Sequence, residues 1–275
     1  MHKITRINFV VALSPEAQPL IRYYKLKRDR QISAFEVYKN DDLQLIITGM
    51  GKYNAAIATG YMAGLSRSGA TPAWINVGIA GGQVAEIGRA LLINAITDSE
   101  YGKKYYPTIC FESDLPQASL VTVNKPAENY EDGVLYDMEA AGFFAAASRF
   151  SPSELVHCCK IVSDNRTQGI EHITRETATA MIETAIIMID KVAQALSELR
   201  GQLWSIENIE QSISLITQQY HFTTAQQNTL RNLLQNWYAL KNADDPPVFP
   251  FQGVQSSGEY LVALENEINK YPVNY

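Results

Sequence analysis

The chain has 275 residues, 46% hydrophobic and 19% charged, which is enough to bury a sizeable core and excludes a disordered or fibrous protein. A net charge of −6 excludes the basic footprint of a general nucleic-acid binder. The longest apolar opening, Ile7 to Leu13, is too short to span a bilayer and runs into Ser14, Pro15 and Glu16 with no cleavage-site pattern behind it, so no membrane partner is expected. Three cysteines, with Cys158 and Cys159 adjacent, make no disulfide framework and read as reduced thiols of a cytoplasmic protein. The four histidines, His2, His157, His172 and His221, are scattered, so no metal site is expected; no cofactor is expected either.

In chain order, β-branched runs predict strands over Ile7 to Leu13 and Leu43 to Thr48, then a helix from Tyr53 to Ser68. Strands follow at Ala73 to Val77, Ala90 to Ile96 and Ser119 to Val123. A helix over Met138 to Arg149, a strand over Leu155 to Val162 and a helix over Arg175 to Leu199 complete the series. This alternation predicts an α/β domain, and the continuously apolar strands predict a sheet covered on both faces. After Leu199, Gln and Asn accumulate through Gln202 to Asn242. Leu215, Ile216 and Tyr220, then Leu230, Leu233, Leu234, Trp237 and Leu240, have helical spacing, with Thr223 or Thr224 as a cap and Asp244, Asp245, Pro246 and Pro247 as a terminator. The expected organisation is therefore one domain over residues 1–200 and a mainly helical C-terminal extension over 201–275.

Three acidic residues stand at element ends in apolar surroundings: Glu16 in VALSPEAQPL, Glu139 in LYDMEAAGFF and Asp164 in KIVSDN. Any one of them could be a helix cap or an ion-pair member. Gly49, Met50 and Gly51 follow a strand and open a helix, but lack the third glycine of a dinucleotide fingerprint. Gly78, Gly81 and Gly82 in WINVGIAGG suggest a tight turn that a ligand can approach closely.

Taken in order, VALSPEAQPL, ITGMGKYNAAIATG, WINVGIAGG, YDMEAAG and KIVSDN resemble the methylthioadenosine/S-adenosylhomocysteine nucleosidases of the nucleoside phosphorylase superfamily. The resemblance implies a three-layer α/β fold with a mostly parallel mixed central sheet, here followed by a helical C-terminal appendage. It implies a purine nucleoside N-ribohydrolase in which Glu16 activates water, Glu139 grips the ribose hydroxyls and Asp164 protonates the purine. Met138 would pack on the ribose, Met50 would line the pocket for the 5′ substituent, and Gly51, Ile79, Ala80, Gly81 and Ser163 would complete the site. A homodimer or larger homo-oligomer with a small-molecule purine nucleoside as its ligand is implied as well.

Several positions depart from that pattern. Ile79 replaces a common serine, and Lys160 stands where arginine is usual, without its bidentate fork. Val123 to Leu135 is shortened and lacks the phenylalanine that stacks on the base, and Tyr101 to Pro107 replaces a longer loop. Phosphate-dependent relatives carry arginine and serine where Asn76 and Ile79 stand, and Glu16 would repel phosphate, which favours hydrolysis over phosphorolysis. A nucleoside-binding regulatory module with little turnover is the reading from another class.

Overall fold

A computed structural model describes residues 4, 6–65, 71–127, 129–241 and 253–270. His2, Ser68, Asn242 and the 244–247 stretch lie outside the described residues, as does the side chain of Leu240. The chain divides into two compact units, Met1–Arg200 and Gly201–Tyr275.

The strands of the first unit are β1 (Ile7–Val11), β2 (Lys27–Arg28), β3 (Glu36–Lys39), β4 (Leu43–Ile47), β5 (Ala73–Gly82), β6 (Ala90–Asp98), β7 (Lys104–Tyr105), β8 (Gln117–Thr122), β9 (Val134–Asp137) and β10 (Val156–Asp164). Its helices are α1 (Ser14–Tyr23), α2 (Lys52–Leu65) and α3 (Ala140–Ala147), with α4 (Arg175–Gln219) beginning here. Strand β5 pairs with both β10 and β9, and the path β10, β6, β8, β9 returns to β5, so five strands close on themselves. From the other part of β5 the sheet continues outward through β1, β4, β3 and β2.

The expectation of a mostly parallel sheet is corrected. Among the described residues, five strand pairings are parallel and five are antiparallel. The connection between β5 and β6, residues 83–89, is too short for a crossover, so the chain reverses there. Strands β6, β8 and β9 then run as a parallel block against β5 and β10.

Alternation along β1 brings helices to both faces of the sheet. Phe9 stacks on Tyr24, just after α1, at 5.2 Å, whereas Val10 packs in the core with Ala55, Ala58 and Met62 of α2. Helix α1 escaped the sequence reading because Pro15 and Pro19 punctuate it. Pro15 occupies the first turn, where its missing N–H costs nothing. Pro19 cannot bond the carbonyl of Pro15, and the Thr179 hydroxyl of α4 donates to that carbonyl instead at 2.9 Å. Gly142 explains the close approach of α3 to α2, since a Cβ there would stand 1.9 Å from the carbonyl oxygen of Lys52.

Helix α4 runs past Leu199 to Gln219, because no proline interrupts it and Gly201 alone costs only about 1 kcal/mol. The second unit adds α5 (Thr224–Lys241) and α6 (Ser257–Ile268). Its own core is built on Ile209, Ile216, Leu230, Trp237, Tyr260 and Leu264. Thr223 caps α5: its hydroxyl accepts from the N–H of Gln226 at 3.3 Å, while the Gln226 side chain accepts from the N–H of Thr223 at 2.9 Å. No helix among the described residues is long and apolar enough to cross a membrane.

Candidate active site

Strands β1, β5 and β10 are mutually parallel, and their carboxyl ends open on one place. Glu16 reaches it from the first turn of α1, where one carboxylate oxygen accepts from the N–H of Leu13 at 2.9 Å. The other accepts from the N–H of Ile79 at 2.9 Å. That second bond follows from the topology. Strand β5 is paired with β1 as far as Val77 and with β9 from Gly81, so the N–H of Ile79 falls in the gap and Glu16 satisfies it. A main-chain donor does this, so an isoleucine at position 79 suffices.

The turn expected at Gly78, Gly81 and Gly82 does not exist: all three lie within β5. These glycines make room instead. A Cβ at Gly78 would come 3.1 Å from Glu16 Oε1, at Gly81 2.6 Å from Asp164 Oδ2, and at Gly82 2.5 Å from the carbonyl of Val134. Gly49 and Gly51, just before α2, have left-handed backbone, at φ of 81° and 100°.

Glu139 follows β9 at the entrance to α3 and is 8% exposed. Its Oε1 accepts from the N–H of Gly51 at 2.7 Å, and its Oε2 from the N–H of Met138 at 3.3 Å. Asp164 ends β10, where the register with β5 shifts opposite Ala80 and Gly81. One of its oxygens accepts from the hydroxyl of Ser163 and the other from that of Tyr130.

Asp137 is the charged residue the sequence reading passed over. It accepts from the Thr122 hydroxyl at 2.7 Å and from the N–H of Ala140 at 2.9 Å, and it pairs with Lys160 at 2.9 Å. Both members of that pair are buried, and Thr122 is also held by the N–H of Ala141 at 3.0 Å. The pair fixes the start of α3, and with it Glu139.

Burial sets the electrostatics here. It raises the Glu16 carboxyl, with the Ile79 N–H and Lys160 opposing it in part. Burial, reinforced by the Asp137 charge, pushes Glu139 up to about 7. Burial works against the charge of Lys160, but Asp137 and Glu139 outweigh it and raise its pKa.

A cavity of about 250 Å³ joins these groups. Glu16, Glu139 and Asp164 all line it, with Met50, Ile79, Ala80, Gly81, Met138 and Ser163. Gly51 is absent from this lining and contributes its N–H to Glu139 instead. Tyr130, Tyr136 and Asp137 line it as well, and the sequence reading named none of them as site residues. Asp137 carried a signal, lying two residues before Glu139 in the same motif. Tyr130 carried none, because its partner Asp164 is 34 residues away. Among the described residues no cluster of His, Cys, Asp and Glu has the geometry to hold a metal ion.

No protein-family model matches the chain, and no curated protein matches its sequence. Solved structures do match. The 5′-methylthioadenosine nucleosidase of Arabidopsis thaliana, in apo form, aligns over 71% of this chain and 97% of its own, with 18% identity and a TM-score of 0.57. An MTA/SAH nucleosidase aligns over the same shares at 20% identity and a TM-score of 0.57. The MTA/SAH nucleosidase of Colwellia psychrerythraea, in complex with adenine, aligns over 73% of this chain and 96% of its own at 18% identity and 0.52. This chain thus has the nucleoside phosphorylase-like α/β fold of the methylthioadenosine/S-adenosylhomocysteine nucleosidases.

Proposed function

We propose that the chain is a purine nucleoside N-ribohydrolase that cleaves the N-glycosidic bond of an adenosine-like nucleoside of the methylthioadenosine/S-adenosylhomocysteine type with activated water. The observation that carries this reading is the convergence of Glu16, Glu139 and Asp164, from three separate elements, on one cavity. Cleavage passes through an oxocarbenium-like sugar, by analogy with glycoside hydrolysis, and the base leaves with the electron pair of the broken bond. Asp164 shares a proton with the purine N7 as that pair departs and so serves as the general acid, a contribution of about 10²–10⁴-fold. Glu16 takes a proton from the water that adds to C1′, and its raised pKa suits it to that task. Glu139 accepts from two neighbouring ribose hydroxyls and holds the sugar in register, while Met50 and Met138 supply apolar surface to the 5′ group and the ribose.

Hydrolysis is favoured over phosphorolysis by charge. The described residues that line the cavity include four carboxylates, Glu16, Asp137, Glu139 and Asp164, and no Lys or Arg. Phosphate would meet repulsion there without a countercharge. A cytoplasmic homodimer or larger assembly belongs to the same reading, supported by the exposed apolar surface of Met50, Tyr53 and Ile57, which a second copy would cover.

The test is base release from 5′-methylthioadenosine, S-adenosylhomocysteine, adenosine, inosine and futalosine, with and without phosphate. Free 5′-substituted ribose formed without phosphate is the expected product. Ribose 1-phosphate formed strictly with phosphate would establish a phosphorylase, and no release from any of the five would leave a nucleoside-binding module.

A further inference from the structure

Asp164 is clamped from both sides. The hydroxyl of Ser163, its chain neighbour, donates to Oδ1, and the hydroxyl of Tyr130 donates to Oδ2. Ser163 belongs to the same strand end as Asp164, so Tyr130 is the brace that ties the carboxyl to a different segment, the connection between β8 and β9. The brace is itself anchored. The carbonyl of Tyr130 accepts from the Arg166 guanidinium, with Nε at 3.0 Å, and another nitrogen of that guanidinium pairs with Asp132 at 3.0 Å. The Tyr130 ring lies 5.8 Å from that of Tyr136. Position 81 is shaped around the contact, since a Cβ there would fall 2.7 Å from the Tyr130 hydroxyl and 2.6 Å from Asp164 Oδ2.

A carboxyl at the end of an Asp side chain turns about a broad, weakly restricted torsion. An acid that delivers a proton to one ring nitrogen needs that torsion held, because misplacement by about 1 Å costs on the order of a hundredfold in rate. We propose that Tyr130 is a positioning residue that acts through Asp164, fixing the plane of its carboxyl so that the proton meets the leaving base. This rests on the nucleosidase reading above and deepens it.

The experiment compares two substrates of the full-length protein. A purine nucleoside needs its base protonated in order to leave, whereas 4-nitrophenyl β-D-ribofuranoside carries a leaving group stable enough to depart unassisted. In Tyr130→Phe the ring stays and the hydroxyl goes. The expected result is a kcat for the purine nucleoside lowered about tenfold to a hundredfold, a KM changed less than about threefold, and unaltered hydrolysis of the nitrophenyl riboside. Equal losses on both substrates, or no loss on either, would overturn the proposal. Arg166→Met, at a half-exposed side chain, loosens the anchor without touching the cavity and provides the same comparison if Y130F does not fold. A smaller loss confined to the purine nucleoside is expected of it, and parallel behaviour of the two substrates would again overturn the proposal. A wild-type protein that cleaves neither substrate would instead defeat the nucleosidase reading itself.

Discussion

Replacing Glu139 with Gln exchanges a buried titratable group for a neutral one of the same shape. Burial first, and the neighbouring Asp137 charge second, push the Glu139 carboxyl from its ordinary 4.5 up to about 7, with Lys160 opposing and Glu16 adding to the rise. The folded state therefore holds a proton that the unfolded chain releases, and stability present below pH 4.5 is lost as pH rises through 7. The interval from 4.5 to about 7, at about 1.36 kcal/mol per pH unit, amounts to about 3 kcal/mol. The Gln variant keeps an acceptor for the N–H of Gly51, now bonded at 2.7 Å, and carries no charge at any pH. Urea denaturation of both proteins should show E139Q within about 1 kcal/mol of wild type at pH 5 and more stable by about 3 kcal/mol at pH 8.5. The same variant should lose most base release, since an amide cannot accept from both ribose hydroxyls. A stability difference that stays flat between pH 5 and pH 8.5 would mean that burial costs this carboxylate nothing.

Asp164→Asn should lower purine nucleoside turnover by about 10²–10⁴-fold with the fold intact by circular dichroism; turnover near wild type would remove Asp164 from the chemistry. Gly142→Ala should destabilise by at least about 1–3 kcal/mol in thermal unfolding, because the new methyl meets the Lys52 carbonyl at 1.9 Å; an unchanged melting temperature would mean that α2 and α3 separate at no cost. Lys160→Met strands Asp137 without its cation in the interior and should cost about 3–5 kcal/mol, measured by urea denaturation at neutral pH. A loss below about 1 kcal/mol there would mean that Thr122 and the N–H of Ala140 alone satisfy Asp137.

The five blocks from VALSPEAQPL to KIVSDN were legible because each is local: an apolar run, then small or acidic residues at the element end. The continuous burial of β1 and β10 was legible for the same reason, since period and apolarity are written in adjacent letters. Local reading failed where a neighbour overrides it. Prolines hid α1, whose freed carbonyl is satisfied by Thr179, 164 residues from Pro15. The glycines of β5 read as a turn because their cause, the volume taken by Glu16, Asp164 and Tyr130, is not in their own segment.

The longer strands and helices, and the residue types offered at their ends, were written in the sequence alone, because propensity and hydrophobic period act over a few residues; the short strands β2, β3, β7 and β9 and the helix α1 were not. Tertiary structure decided the rest. It closed the sheet through β9 and β10, and it set the partners of each carboxylate: Glu16 bonds Ile79 across 63 positions, and Glu139 bonds Gly51 across 88. A hydrogen bond depends on the position of its partner in space, and only the folded chain supplies that position.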